Sequence, residues 1–427
     1  MTLFLFLLGA VFFLVLAWVL YYHNIELFAC LLIAVNFEFF FILPMLGRFP
    51  VYRLMDVMLV LLLVLVRLLR GDLALGRYGF WVLLITPISL MAILKAYCSG
   101  QSLLLGVKAT KFVPLLLSYF LFVGKDVNPE RFAFGLVIMA VGISAMVVAH
   151  SVFANTFNPF WGLSTELREA LITERLGRSR NAIGSFAIAV AGVSAFACFL
   201  RSRYPRLVLI AAIALFLEIV FVTQVRMLII VMMVAMLFLY VRARRLSMPQ
   251  VCVLISVLLL MIVAWDLLST QMIRHSELAA LTTEELTRKT GSVEARLATY
   301  AYYWKGLLKD PLLGSGALNF DWVGNPERWL QEQGIHLSDI GVMHFFVKTG
   351  FIGFLWFALG LLLMWKDSFF HGTASIATGY LIMATIAMPT LDLFLRNDTM
   401  LLFGIFSALL SNEVNRSLKS FARGGKS

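Results

Sequence analysis

LVLIAAIALFLEIVFVTQVRMLIIVMMVAMLFLYVRARR, residues 207–245, decides the fold class. Two apolar runs, 207–222 and 227–241, are separated only by a tight turn at Thr223–Arg226, and the second ends in Arg242, Arg244 and Arg245. Apolar residues are continuous in both, without the alternation of a membrane β-barrel strand. Each run approaches the length of a bilayer-spanning helix. The pair reads as a hairpin of membrane helices. Working outward, comparable segments fall at 2–22, 25–46, 54–69, 79–97, 102–123, 132–152, 183–200, 251–268, 342–365, 374–391 and 399–412. That makes roughly thirteen, of which one or two are expected to be re-entrant or merged. Of 427 residues, 61% are hydrophobic and 14% charged, against about 45–50% and 25% in soluble domains. The expected fold is all-α: one polytopic membrane domain over 1–427 with about 12–13 transmembrane helices. Met1–Tyr22 is apolar throughout, without a basic n-region or small-residue cleavage site, and is expected to be the first membrane helix.

The net charge of +11 is scattered between the apolar segments. Such a basic excess points to cytoplasmic loops and contact with membrane lipids, and no single basic face exists for nucleic acid. Cys30, Cys98, Cys198 and Cys252 lie far apart in or beside apolar segments and read as packing residues. Four basic groups set the orientation: Arg67, Arg70 and Arg77; Arg201, Arg203 and Arg206; Arg242, Arg244 and Arg245; and the tail with Arg416, Lys419, Arg423 and Lys426. Placing all four inside leaves three stretches outside: a first loop at 153–182, the turn at 223–226, and a large loop at 269–341.

The large loop is polar, charged and aromatic, and a long loop among membrane helices is usually functional. Ser292 is an N-cap candidate with Glu294 in the first turn. Leu297, Ala301, Trp304 and Leu308 recur at helical spacing, with Arg296, Tyr300 and Tyr303 beside that stripe. This predicts an amphipathic helix on the membrane surface, ended by Pro311 and followed by the turn Gly314-Ser315-Gly316.

Arg226 opens a membrane helix from outside. It is either a snorkelling interfacial arginine or a phosphate anchor, since its donor fork fits phosphate and a helix start adds positive potential. Arg175, Arg178 and Arg180 close the first external loop, as an anion site or a solvated cluster, and Asn181 is a cap candidate for the next helix. Arg296 either contacts headgroups or completes an anion site with Arg226. His336, Asp339 and His344 surround the start of the segment at 342, and each is a candidate general base for an acceptor hydroxyl. Capping, an ion pair with Lys348, or core polar packing are their alternatives. Glu38, Lys108, Lys111, Glu218 and Asp392 lie in or beside apolar segments, where ionisable groups are candidates by default. No GxxxxGK[ST], HExxH or GxSxG pattern occurs, so nucleotide hydrolysis, zinc proteolysis and serine hydrolysis have no support.

Three stretches, in order, resemble the bacterial O-antigen polymerase and O-antigen ligase superfamily. They are GRSRNAIGSFAIA at 177–189; TQVRMLII at 223–230; and RLATYAYYW at 296–304 with DPLLGSG at 310–316 and SDIGVMHFFVKTGFIG at 338–353. The resemblance implies a glycosyltransferase of the bacterial inner membrane with its active face, and the large loop, in the periplasm. It implies a donor glycan on undecaprenyl diphosphate, an acceptor hydroxyl, and no metal or other cofactor. Arg226 and Arg296, with Arg178 or Arg180, would hold the diphosphate. Asp339 stands where ligases of the family tend to carry a His-Asn pair and polymerases an Asp, so the resemblance favours a polymerase of O-antigen or exopolysaccharide repeat units. His336, three residues earlier, keeps ligation to lipid A-core open. A chain-length regulator is an implied partner. A glycolipid or organic-anion transporter is a third reading, although no inverted repeat or pair of broken helices is visible.

Overall fold

The computed structural model describes residues 2–37, 54–152, 172–175, 178–181, 183–201, 205–223, 225–244, 292–325, 328, 337–371, 375–389 and 397–424. It is a helical bundle. The helices are α1 (Thr2–His23), α2 (Ile25–Asn36), α3 (Met55–Leu69), α4 (Gly79–Cys98), α5 (Leu103–Ala109), α6 (Tyr119–Phe122) and α7 (Pro129–Val152). They continue as α8 (Ser185–Phe199), α9 (Pro205–Glu218), α10 (Arg226–Arg244), α11 (Ser292–Lys309), α12 (Val342–His371), α13 (Ile376–Ala387) and α14 (Asn397–Gly424). Among the described residues, five helices are long and apolar enough to cross a membrane, or six if one bent pair counts as a span. This is a polytopic membrane protein of the all-α class. Among the described residues, the one β element is a short antiparallel pair, β1 (Ile172–Arg175) and β2 (Arg178–Asn181). The expected segment at 251–268 lies outside the described residues, as do most of the loop 153–182 and residues 269–291 of the large loop.

The segment expected at 102–123 is not one straight helix. It breaks by 53° between α5 and a 3-10 turn at Val113–Ser118 that leads into α6. Pro114 stands in the first turn after the break, where it lacks the N–H that a continuous helix needs. Lys108 and Lys111 flank the bend. The expected turn at 223–226 is preceded by a π turn, Ile219–Thr223, inside which the Thr223 hydroxyl donates to the Ile219 carbonyl at 3.0 Å. Asn181 does not cap α8. It ends β2, and Gly184 holds the N-cap position at φ 65°, a conformation that favours glycine.

The helix directions divide the molecule into two ends. Tyr78, just before α4, donates its hydroxyl to Asp367 near the end of α12 at 2.7 Å, and Arg77 forks onto the same carboxylate. Arg242, near the end of α10, donates to the Ser368 and Phe369 carbonyls. Ser411 and Asn412, late in α14, meet Arg77 N–H and Gly124 N–H, and Arg416 pairs with Asp126 at 2.5 Å. Arg67, late in α3, donates to the Phe120 carbonyl. So three of the four basic groups, represented by Arg67, Arg77, Arg242 and Arg416, gather at one end, here the basic end. In the core between the ends, Trp81 and Trp356 stack at 4.6 Å, and each indole N–H donates to the other's carbonyl at 2.7 Å. That reciprocity satisfies two buried donors with no water.

The other end is the loop end. α4 leaves the basic end, and Lys95 in its last turn pairs with Asp310 beyond α11. From there residues 310–319 dock back into the bundle largely through backbone groups, with Gln101 and Asn319 adding side-chain bonds. α12 is broken at Gly350 (φ 65°, ψ −157°). The break frees the Val347 carbonyl and the Phe351 N–H, and the loop takes both: Ser315 N–H donates to Val347 at 2.8 Å, and Phe351 N–H donates to the Pro311 carbonyl at 2.7 Å. On the far side, Ala317 N–H donates to the Ala92 carbonyl of α4 at 2.8 Å. A Cβ at Gly314 would strike the Val347 carbonyl, and one at Gly350 would strike the Leu312 backbone. The glycines of DPLLGSG and KTGFIG therefore permit backbone to meet backbone where membrane helices have no water to satisfy a break.

Candidate functional site

Packing brings the expected site segments to the loop end. α10 begins at Arg226. Leu239, late in α10, and Val193 of α8 both meet Gly379, early in α13. Arg242, nearer the end of α10, bonds the Ser368 carbonyl, and the Ser368 hydroxyl meets Thr378 at the start of α13. The end of α10 thus lies at the start of α13, and the two helices run antiparallel. Arg226 lies ~20 Å along α10 from Leu239, and Met388 lies ~14 Å along α13 from Gly379, in the same direction. The Met388 carbonyl accepts from Val342 N–H at 2.8 Å, which seats the start of α12 there. Gly341 permits this approach: it has φ 56°, and a Cβ would strike the Met388 carbonyl. A 3-10 turn at Leu337–Ile340, which contains Asp339, runs directly into Gly341.

α11 covers this junction. Tyr303 is buried with Leu337, Ile340, Met343 and Val347. Tyr300 donates its hydroxyl toward the Ile340 carbonyl at 3.0 Å and the Pro389 carbonyl at 2.5 Å. Arg296 lies one helical turn before Tyr300. The stripe expected to meet the membrane, Leu297, Trp304 and Leu308, is more than half exposed and faces away from the bundle. That exposure agrees with an interfacial helix, with tyrosines inward and leucines and tryptophan outward.

β2, which carries Arg178 and Arg180, packs against the π turn Ile219–Thr223 and against α7. In the antiparallel pair, Arg178 pairs with Arg175 and Arg180 with Thr173. The backbone positions of Arg178, Arg180, Arg226, Arg296, Asp339 and His344 therefore share the loop end. His344 is half-buried in the first turn of α12. His336 lies outside the described residues.

Three further groups belong to the same end. Lys348, one turn after His344, is buried, and among the described residues it has no ion-pair or hydrogen-bond partner. In the sequence it figures only as an ion-pair alternative for His336, Asp339 and His344, although a lysine inside an apolar segment is itself a signal. Glu218 ends α9 immediately before the π turn, and both its buried carboxylate oxygens lack a hydrogen-bond partner among the described residues. His150 is buried near the end of α7, the helix that packs on β2. In the sequence it is one polar residue within a long apolar run, with no pattern around it. Nearby, Lys108 of α5 holds the Asp321 carboxyl below the usual carboxylate range by a direct hydrogen bond and its charge.

Fold and site define a class: a polytopic helical membrane protein whose polar loop is docked into a broken helix beside a cluster of basic and acidic positions. Within that class, residues 211–358 match the model of the O-antigen ligase family. This match bears out the resemblance to the O-antigen polymerase and ligase superfamily, whose members are membrane glycosyltransferase-like enzymes acting on lipid-linked glycans. The matched stretch runs from mid α9 to beyond Gly353. It contains Arg226, Arg296, His336, Asp339, His344 and Lys348 but not β2. No curated protein matches the chain.

Proposed function

We propose that this protein is a polymerase that joins undecaprenyl-diphosphate-linked oligosaccharide repeat units into O-antigen or exopolysaccharide at the periplasmic face of the inner membrane. In the reaction, an acceptor sugar hydroxyl attacks the anomeric carbon of the donor glycan. The new carbon–oxygen bond replaces the bond to the diphosphate, which leaves with its electron pair. Asp339 takes the hydroxyl proton. Arg226 and Arg296, with Arg178 and Arg180, face the developing negative charge, and preorganised donors at such a point give the largest catalytic effects. His344 and His336 are the alternative bases.

The observation that carries this reading is the seating of the start of α12, directly after the turn with Asp339, on the end of α13, within a family-matched stretch that also contains Arg226. Placement of the loop end outside follows from the arginines at the other end and the positive-inside bias. A second reading, ligation of finished glycan to lipid A-core, is favoured by the description of the matching family as O-antigen ligase. Deleting the gene in its source bacterium and profiling surface polysaccharide on gels separates the two. Collapse of a ladder to single repeats identifies a polymerase. Loss of attached glycan with accumulation of lipid-linked polymer identifies a ligase. An unchanged profile overturns both.

A further inference from the structure

An apolar groove of about 250 Å³ runs between α1 and α3 toward the basic end, lined by Leu14, Val15, Trp18, Leu59, Leu62 and Leu63. Its mouth is cationic. The Arg70 guanidinium lies 5.6 Å from the Trp18 ring and 5.4 Å from the Tyr22 ring, and donates to the Tyr22 hydroxyl at 2.6 Å. The Lys125 ammonium lies 5.1 Å from the Tyr21 ring and 5.8 Å from the same Tyr22 ring. The neighbouring acids are engaged elsewhere. Asp72 binds Arg67, Asp126 binds Arg416, and Glu26 accepts the Asn128 N–H at 2.7 Å. Arg70 has no ion-pair partner among the described residues. Two cations thus converge on one tyrosine where an apolar groove opens, and neither forms an ion pair among the described residues.

We propose that this groove binds an anionic phospholipid, with the headgroup phosphate between Arg70 and Lys125 and an acyl chain along Leu14, Val15, Leu59 and Leu62. Charge complementarity selects the occupant. A zwitterionic lipid brings its own cation to a site already carrying two, whereas an anionic one supplies the missing charge. Burial and the adjacent Arg67 lower the pKa of Lys125, a penalty that a bound phosphate relieves. Trp18, Tyr21 and Tyr22 are the amphipathic rings expected at headgroup level. The site is at the basic end, away from the loop-end cluster, so it does not depend on the catalytic reading.

The test uses the full chain in phosphatidylcholine nanodiscs doped with either phosphatidylglycerol or phosphatidylethanolamine, with retained lipid counted by native mass spectrometry. Phosphatidylglycerol is retained over phosphatidylethanolamine, and Arg70→Gln and Lys125→Gln each reduce that preference by about fivefold. Leu62→Trp, which fills the groove, reduces retention with both cations intact. Equal retention of the two lipids, or a preference unchanged in the Arg70→Gln/Lys125→Gln chain, overturns the proposal. If Arg70→Gln fails to fold, Lys125→Gln, which changes only a loop side chain, carries the test by itself.

Discussion

Arg67 and Lys348 are both buried cations, 4% and 8% exposed, at opposite ends of the bundle. Arg67 is fully engaged: it donates to the Phe120 carbonyl, to the Asp72 carbonyl at 2.6 Å, and to the Asp72 carboxylate at 3.5 Å. Lys348 has no such partner among the described residues. The same contrast holds for carboxylates. Asp367 receives the Arg77 fork and the Tyr78 hydroxyl, while Glu218 receives no hydrogen bond among the described residues. Burying a charge without a partner is strongly unfavourable. At the basic end the buried charges of Arg67 and Asp367 serve the fold and close on neighbours. At the loop end the buried Lys348 and Glu218 are left open among the described residues, beside the matched segments, and such a charge persists where a ligand completes it.

The sharpest way to break this contrast is Arg226→Ala. If Arg226 holds the leaving diphosphate, polymer formation falls by at least about a hundredfold, on the order of 3 kcal/mol in the transition state. Thermal stability in detergent should hardly change. Arg226→Lys should also be poor, because a point charge does not replace a bidentate fork. A normal polysaccharide ladder in a strain complemented with Arg226→Ala removes the anchor role.

At the basic end the expectation is reversed. Arg77→Met leaves Asp367, 1% exposed, with only the Tyr78 hydroxyl. Breaking a buried pair costs about 3–5 kcal/mol, and about 2–3 here because the Arg77 side chain is 35% exposed. Thermal unfolding should shift accordingly while activity per folded molecule holds. Lys348→Met is the complementary change. Removing an unpartnered buried charge should leave stability unchanged or raise it by about 1 kcal/mol, yet activity should drop. A destabilised Lys348→Met chain with full activity would make Lys348 structural and erase the difference between the ends.

Much of this was legible in the sequence, and the boundary has a physical cause. Helix positions followed from the length and continuity of apolar runs, so α3, α4, α7, α10 and α12 fall where the segments predicted. The outward stripe of α11 followed from helical periodicity. What failed depended on partners distant in the chain. DPLLGSG reads as a turn, but its role is to lend a carbonyl and an N–H to a helix break about forty residues on, which no local pattern encodes. The antiparallel pair within 172–181 is short, charged and without alternation, so nothing marked it as strand. Asn181 looked like a cap because side-chain chemistry was visible and the left-handed Gly184 backbone was not. Arg67 and Lys348 are equivalent on paper, and only packing separates the engaged one from the open one.

The smallest effect expected concerns how the loop is held to α5. The Lys108 ammonium bonds the Asp321 carboxylate and keeps its carboxyl below the usual range. A carboxylate with a depressed folded pKa stabilises the fold above its unfolded pKa of about 3.9, and that contribution is lost as pH falls through the lower folded value. Both partners are more than half exposed, so salt screens the pair. Segment 319–325 is also held by neutral bonds: Asn319 N–H to Gln101 at 2.6 Å and Asn325 to the Asn319 carbonyl at 3.0 Å. Amide exchange over 319–325 should therefore quicken only slightly below about pH 4, and Asp321→Asn should remove that pH dependence without releasing the loop. A large opening at mildly acidic pH, insensitive to Asp321→Asn, would mean that the Lys108–Asp321 pair is not what latches the loop.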